Sequence, residues 1–461
     1  MTQKLLGRTR CVHFVGIGGI GMSGIAEVLL NLGFQVTGSD RQLTSITERL
    51  ESMGAKICEG HDNPLVDGAD VVVISSAVNQ QNPEVKRALD LKIPVIRRAE
   101  MLGELMRMKQ GVAIAGTHGK TTTSSITGLV LQEGNYDPTL IIGGKVNHLN
   151  TNAKLGTGNY LVAEADEYDR SFLELTPTIA VITNIESDHL DCYKDLDDIK
   201  ETFVKFANKV PFYGAVVLCL DEESLQKIMP MLKRRIITYG INPQADVRAL
   251  NIRYELFTSR YVAQWQGQEL GEIHLKLPGL HNVKNSMAAL AVGLELEIPF
   301  EKIKKALESF RGVHRRFEIK SEEKGRLVVD DYAHHPTEIE ASLKGAREVW
   351  PGRIVAVFQP HLYSRTRDFY QDFGQSFFNA DMLVVTDIYP AREEPIEGVS
   401  GALISDTAKA LGHKHVEFVR DKKEIPRYLL ENSREGDLII TMGAGDIYQY
   451  GEMYIELLKE S

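Results

Sequence analysis

The sequence predicts an α/β fold in three domains, and three observations predict it. Short β-rich runs alternate with amphipathic helical stretches along the chain, the pattern of parallel strands with helices packed on them. Two glycine-rich loops, Gly16 to Gly21 and Gly116 to Gly119, each directly follow an apolar run. The length of 461 residues amounts to about three domains at roughly 150 residues each.

In the first domain the strand candidates are Cys11 to Val15, Gln35 to Gly38, Val71 to Ser75 and Pro94 to Ile96, with a helix expected over Met22 to Leu32. The second begins with Val112 to Ala115, continues through Tyr160 to Ala163, Ile179 to Ile182 and Ala215 to Leu220, and ends near the helical stretch Ser286 to Leu296. The third follows the basic knot His314-Arg315-Arg316, with strands expected at Arg326 to Val329, Ile354 to Phe358, Met382 to Thr386, Val416 to Val419 and Leu438 to Met442. Boundaries near Met106 and Arg311 divide the chain into residues 1–106, 107–311 and 312–461. The first is read as a Rossmann-like domain, the second as a P-loop ATPase-type domain with a parallel sheet, and the third as a Rossmann-like α/β domain.

Composition narrows the function classes. Apolar residues make up 43% and charged residues 25%, the balance of a folded globular protein. With 63 acidic and 53 basic residues the formal charge is −10, the wrong sign for a protein that gains its affinity by covering nucleic-acid phosphates. The four cysteines, Cys11, Cys58, Cys192 and Cys219, are scattered and include no C-x-x-C pair, so neither a disulfide framework nor a zinc knuckle is expected. Lys4, Arg8 and Arg10 before an apolar stretch imitate a secretory signal, but five glycines from Gly16 to Gly24 interrupt that stretch. No apolar run approaches the ~20 residues that span a bilayer, so a cytoplasmic location without membrane insertion is expected.

The first loop, Gly16-Ile-Gly18-Gly19-Ile-Gly21, is a G-x-G-x-x-G between a strand and a helix. Its backbone can approach a diphosphate closely, with helix amides facing the anion. Asp40 ends the next strand, 19 residues after Gly21, where a carboxylate can accept hydrogen bonds from ribose hydroxyls. Alone, the motif reads as a dinucleotide site; a tight turn without ligand is the plain alternative.

The second loop, Gly116-Thr117-His118-Gly119-Lys120-Thr121-Thr122-Thr123, resembles a P-loop in which the first glycine comes late, Ile114 standing at its usual place. The physical logic survives the shortening. Backbone amides form an anion nest, Lys120 neutralises β- and γ-phosphate charge, and the Thr121 hydroxyl suits Mg²⁺. Two further strand ends carry Glu164-Ala165-Asp166-Glu167 and Asn184 to His189. Ligands gather at the carboxyl ends of parallel strands, so Glu164 is a candidate Mg²⁺ ligand and His189 a candidate for a second ion, although Mg²⁺ prefers oxygen. The plain alternatives are a solvated acidic loop and a hydrogen-bonded structural histidine.

Further blocks follow in order: Gly279-Leu-His281-Asn282-Val-Lys-Asn285, His314-Arg-Arg-Phe317, Asp330-Asp331-Tyr332-Ala-His334-His335-Pro336 and Pro360-His361-Leu-Tyr-Ser-Arg365-Thr-Arg367. With these blocks the chain resembles the Mur ligase family over nearly its whole length. The resemblance implies three domains that bind a UDP-sugar, ATP and the incoming amino acid, in that order. It implies UDP-N-acetylmuramate, L-alanine and ATP as substrates and magnesium as the metal. It assigns Gly18, Gly19 and Gly21 to the uridine diphosphate, with Asp40, Ser75, Ser76 and Arg98 as further contacts. Gly116, Thr117, His118, Gly119, Lys120, Thr121 and Thr122 would hold ATP phosphates, Asn282 and Asn285 would lie toward adenine, and Arg316 near the phosphates. Thr121, Glu164 and His189 would surround magnesium. Asp331, His334 and Arg365 would come from the third domain, the last gripping the alanine carboxylate with its planar fork. For Arg365 the plain alternative is an exposed pair with Asp368.

Two positions depart from the family's pattern. Leu362 replaces an arginine common after the histidine of the Pro-His block, and Val204 stands where sister ligases carry a modified lysine. Asn184 to Asp191 and Tyr332 resemble the branch that adds alanine more than the one that joins UDP-N-acetylmuramate to an intact peptide in murein recycling.

A carboxylate does not react with an amine until it is activated. Phosphoryl transfer from ATP gives an acyl phosphate, which the amine attacks as phosphate leaves. Lys120, magnesium and the loop amides offset the charge of the first step. His189, Asp331 and His334 are alternative bases for the ammonium proton. The acyl phosphate hydrolyses readily, so exclusion of water by closure of the third domain is expected. Two rivals explain less: an NAD-dependent oxidoreductase leaves the P-loop without a task, and a P-loop switch leaves the first glycine motif without one.

Overall fold

The apolar runs become the strands of three sheets. The computed structural model describes residues 6–61, 64–146, 151–391 and 393–460. Its first sheet contains β1 (Cys11–Val15), β2 (Gln35–Asp40), β3 (Lys56–Glu59), β4 (Val71–Ile74) and β5 (Val95–Arg97) in the order β3-β2-β1-β4-β5, all neighbours parallel. Val12, Phe14 and Val15 are fully buried, as expected for a central strand covered on both faces.

The second sheet contains β6 (Gln110–Ala115), β7 (Thr139–Val146), β8 (Thr151–Lys154), β9 (Tyr160–Glu164), β10 (Ile179–Ile182), β11 (Ala215–Cys219), β12 (Ile236–Gly240), β13 (Val247–Glu255), β14 (Thr258–Trp265) and β15 (Gln268–Leu275). The order is β15-β14-β13-β12-β11-β10-β6-β9-β7-β8. Strands β12, β11, β10, β6, β9 and β7 run parallel, whereas β8 pairs with β7 antiparallel. Strand β6 lies at the centre of this parallel set, which places the P-loop that follows it among the carboxyl ends of its neighbours.

The third sheet contains β16 (Glu318–Glu323), β17 (Arg326–Asp331), β18 (Ile354–Phe358), β19 (Met382–Val385), β20 (Val416–Phe418) and β21 (Leu438–Met442) in the order β16-β17-β21-β18-β19-β20. Only the edge strand β16 is antiparallel. The period of two divides the strand residues between two cores. Val329, Ala356, Phe358, Leu383 and Ile440 pack with the helices Pro336–Val349, Tyr363–Ser376 and Gly401–Ala410. Val328, Val355, Val357, Val384 and Ile439 pack with Ile425–Asn432 and Ile447–Glu460.

The chain forms two compact units, residues 1–250, 262–273 and 284–310, and residues 251–261, 274–283 and 311–461. The first unit includes the first sheet and the P-loop; the second includes the third sheet. The four cysteines are free, and no helix among the described residues is long and apolar enough to cross a membrane.

The sequence reading differs from the structure mainly in strands it did not name: β3, β7, β8, β12 to β16. Several of these are polar or half-exposed, as in Glu318–Glu323 and the alternating outer part of Val247–Glu255, whereas β7 and β12 are buried strands that the reading missed, Leu140, Ile141, Ile142 and Ile237 lying in the core. Helix ends also move, to Ile20–Asn31 and Leu280–Glu295.

Within the first unit the helix Arg98–Arg107 packs against the turn Tyr168–Glu174, and Gly103 makes the approach possible: a Cβ there would lie 2.5 Å from Glu174 O. Alanine normally gains up to about 1 kcal/mol over glycine inside a helix, but a clash with backbone costs about 1–3 kcal/mol. Gly103→Ala is therefore expected to destabilise the protein by about 1 kcal/mol or more in urea denaturation, opposite in sign to helix propensity.

Candidate active site

The P-loop runs from the end of β6 into the helix Lys120–Glu133. Its shape depends on close packing against the strand end of β10. Gly116 has φ +135°, and a Cβ there would lie 2.0 Å from Thr183 Oγ1, so no larger residue fits. The segment after β10 braces the loop: the His118 amide donates to Asn184 Oδ1 at 2.8 Å, Thr183 Oγ1 donates to His118 O at 2.6 Å, and the Glu186 amide donates to Thr117 Oγ1 at 2.9 Å. His118 Nε2 also lies 3.5 Å from Glu186 Oε2. Thr121 is half-buried and Thr122 buried in the first helical turn.

Lys120 is held across the loop mouth. Its Nζ donates to Gly116 O at 2.6 Å and to Glu167 Oε1 and Oε2 at 2.9 and 2.8 Å. Burial by itself would lower the Lys120 pKa, but Glu167, Asp166 and Glu164 outweigh it and raise it above its ordinary value. Burial likewise opposes ionisation of Glu167, and Lys120 and His189 reverse the effect, leaving its carboxyl below the usual range.

His189 stands at φ +55°, an uncommon conformation for a residue with a Cβ, and its Nε2 lies 3.6 Å from both Glu167 Oε1 and Asp188 Oδ2. Burial works against its protonation, but Glu167 and Asp188 prevail and raise its pKa. Glu164 accepts from the Gly143 amide at 2.7 Å and lies 3.4 Å from Ser124 Oγ, beside the P-loop helix. The structure thus brings Lys120, Glu164 and His189 into one acidic pocket and adds Glu167 at its centre. The sequence reading quoted Glu167 within its block without assigning it a task, because a turn after a strand end has no fixed parity. Asn285 also joins this site: its Oδ1 accepts from Thr123 Oγ1 at 3.3 Å.

At the carboxyl edge of the first sheet, Asp40 Oδ2 accepts from the Gly18 amide at 2.8 Å, so the carboxylate at the end of β2 shapes the glycine loop itself. Gly19 precedes the helix Ile20–Asn31, and the Met22 and Ser23 amides donate to its carbonyl. Arg98 passes beside Gly21 and reaches Asp166 Oδ2 at 3.2 Å, joining this loop to the acidic segment after β9. Ser75 and Ser76 follow β4 directly, half-buried and exposed.

In the second unit, Asp331 ends β17 and is buried. It accepts from Ser342 Oγ at 2.5 Å and from the Ala333 amide at 3.2 Å. Burial pushes its pKa up to about 6, against the lowering by Ser342 and Arg316. His334 Nδ1 lies 2.9 Å from Tyr332 O, a carbonyl that can only accept; Nδ1 therefore carries a proton, and in the neutral ring Nε2 is the acceptor. Glu338 faces both His334 and Arg316, at 3.2 and 3.7 Å. Asn282 donates to Pro278 O at 2.8 Å. Arg365 is buried in the first turn of Tyr363–Ser376, just after Leu362 at φ +72°; the exposed partner of Asp368 is Arg367 instead, at 2.7 Å.

Comparison with known proteins matches the chain to one family along its length. Three family descriptions match: Mur ligase family, catalytic domain, over residues 11–110; Mur ligase middle domain over 114–293; and Mur ligase, glutamate ligase domain, over 315–445. The chain is 55% identical over 457 residues to the UDP-N-acetylmuramate--L-alanine ligase of Geotalea daltonii, covering 99% of this chain and 100% of that one. It is 56% identical over 460 residues to the enzyme of the same name from Salinibacter ruber, covering 99% and 97%. Among solved structures, the UDP-N-acetylmuramate-alanine ligase of Thermotoga maritima superposes with a TM-score of 0.82 at 31% identity, over 97% of this chain and 99% of that one. A murein peptide ligase from Psychrobacter arcticus shares the fold, with a TM-score of 0.72 at 24% identity over 98% and 99%. Matched in order by three Mur ligase descriptions and along its whole length by relatives above half identity, the chain belongs to the Mur ligase family.

Proposed function

We propose that this chain is an ATP-dependent ligase that joins L-alanine to the carboxylate of UDP-N-acetylmuramate through an acyl phosphate, in peptidoglycan precursor synthesis. The observation that carries this reading is the end-to-end likeness, above half identity, to proteins named for that reaction. The recycling reaction is less favoured, since the protein named for it is 24% identical.

In this reading the Gly18 to Gly21 loop takes the uridine diphosphate, with Asp40, Ser75, Ser76 and Arg98 around it. Gly116 to Thr122 wrap the ATP phosphates, Asn282 and Asn285 serve the adenine, and Arg316 lies near the phosphates. Lys120 exchanges Glu167 for phosphate oxygens, a substitution of one anion for another that leaves the buried cation paired throughout. The donor set fits magnesium: Thr121 and Glu164 offer hard oxygens beside the charge of Glu167 and Asp188. Bound there, magnesium would neutralise charge on the migrating phosphoryl group. The carboxylates that favour protonated His189 work against its ring as a ligand, which must be neutral, so cation binding there would be coupled to proton release. Arg365 grips the alanine carboxylate, and the alanine ammonium loses its proton to Asp331 or to His334 Nε2. The amine then forms the amide bond as the acyl carbon expels phosphate.

Phosphate release from ATP tests the reading directly. Release is expected only when UDP-N-acetylmuramate and L-alanine are both present; release driven by a peptide such as L-alanyl-D-glutamyl-diaminopimelate but not by alanine would replace it with the recycling reaction.

Lys120→Ala is expected to reduce turnover by about 10²-fold or more and also to lower Tm, because Glu167 keeps its buried charge without its main partner. Adding Glu167→Gln should restore Tm but not turnover, separating the phosphate role from the fold.

Asp331 imposes a pH dependence with an unusual sign. Its folded pKa of about 6 lies above the unfolded value of about 3.9, so the folded state holds the extra proton between them. The contribution is fully present below about pH 4 and lost as pH rises through about 6. Relative to Asp331→Asn, the protein should therefore lose about 2–3 kcal/mol of stability between pH 4 and pH 7. Parallel denaturant melts of the two proteins across that window measure it.

A further inference from the structure

The backbone that carries Glu167 leaves the strand end of β9 through an uncommon turn. Asp169 and Arg170 stand at φ +53° and +57°, the left-handed region that is costly for residues with a Cβ. Two such residues in succession persist only where their surroundings hold them. The Arg170 guanidinium supplies part of that hold. It donates to Thr202 Oγ1 and Asp198 Oδ2, both at 2.7 Å, on the helix Leu196–Ala207, and lies 4.7 Å from the ring centroid of Tyr193. Asp198 Oδ2 also accepts from the Lys194 amide at 3.1 Å, which attaches the segment beside Tyr193 to the same guanidinium.

Tyr193 joins this turn to the other side of the P-loop pocket. It is buried, and its hydroxyl donates to Glu167 O at 2.5 Å, where the Arg170 amide also donates at 3.0 Å, so both lone pairs of that carbonyl are engaged. The Tyr193 amide in turn donates to His189 O at 3.0 Å. One residue therefore ties the backbone of Glu167 to the backbone of His189, and neither bond depends on Lys120.

That independence matters when the lysine moves. As Lys120 turns to the ATP phosphates, the Glu167 carboxylate loses the partner that meets it at 2.8 and 2.9 Å and keeps His189 Nε2 at 3.6 Å. A glutamate on a loose backbone would follow the lysine, because a buried carboxylate is stabilised by staying with its cation. The same movement would carry a negative charge toward the phosphates and repel them.

We propose that Tyr193 and Arg170 are positioning residues that hold Glu167 in place when Lys120 exchanges it for the ATP phosphates. The inference rests on the reading of the P-loop as an ATP site and adds what keeps the released carboxylate away from the nucleotide.

Calorimetry on the full chain with Mg²⁺ and the non-hydrolysable ATP analogue AMPPNP tests the proposal. Tyr193→Phe removes one hydroxyl and leaves the ring beneath Arg170, and should weaken AMPPNP about fivefold or more, the worth of one buried hydrogen bond. Arg170→Lys keeps a cation near Asp198 but cannot reach Thr202 with a second donor, and should weaken AMPPNP in the same direction. In a Glu167→Gln background, where no carboxylate can follow the lysine, Tyr193→Phe should leave AMPPNP affinity unchanged. In steady state the KM for ATP should rise in Tyr193→Phe while the KM for L-alanine does not. A merely structural Tyr193 would lower Tm and weaken AMPPNP by the same factor in both backgrounds, which overturns the proposal, as does a folded Tyr193→Phe protein with unchanged AMPPNP affinity. If the unaltered protein binds no AMPPNP, the ATP reading of the P-loop falls instead.

Discussion

The arrangement of the first unit depends on one buried ion pair, Lys120 with Glu167. A lysine ammonium withdrawn from water is costly unless an anion meets it, and a carboxylate in the same pocket carries the same cost. Each is stable there because of the other, and His189, whose protonation Glu167 and Asp188 favour, lies 3.6 Å from both carboxylates. The loop that presents Lys120 is in turn held by Thr183, Asn184 and Glu186 from the neighbouring strand end. Charge compensation and loop shape are therefore set by the same two strand ends, those of β9 and β10.

The same acidic segment also reaches the first sheet. Asp166, one residue before Glu167, receives Arg98, and Arg98 lies against Gly21 of the glycine loop. Asn152 on β8 donates to Ile20 O at 2.5 Å at the start of the following helix. The two glycine loops are thus linked through shared neighbours within the first unit, and an anion that draws Arg98 away from Asp166 changes the charge seen by the P-loop pocket. In the second unit burial does a different task. Asp331 is surrounded by Ser342, Arg316 and Glu338, and its low-dielectric setting brings a carboxyl that is ordinarily ionised well below neutrality close to the pH at which a base can be useful.

What the sequence by itself determined is what local chemistry determines. Short apolar runs bounded by turn signals mark buried strands in an α/β chain, so most of the parallel strands of the three sheets were legible, whereas polar edge strands such as Glu318–Glu323 were not, because an exposed strand carries no burial signal. The glycine loops were legible because close backbone approach restricts residue type: Gly116 tolerates no side chain beside Thr183. The ordered blocks after them pointed to the family by resemblance alone. Only the tertiary structure decided which of several like residues performs each task. Glu167, not Glu164, meets Lys120; Arg367, not Arg365, takes Asp368; and Asp40 holds Gly18. His13, His61 and Glu84 lie as much as 71 residues apart and form a single network only once β1, β2 and the helix Pro83–Asp90 pack together. Distances of a few ångströms between residues remote in sequence set which charges are paired, and burial sets which carboxyls hold their protons to higher pH, as at Asp331. Neither quantity is a property of any short stretch of chain.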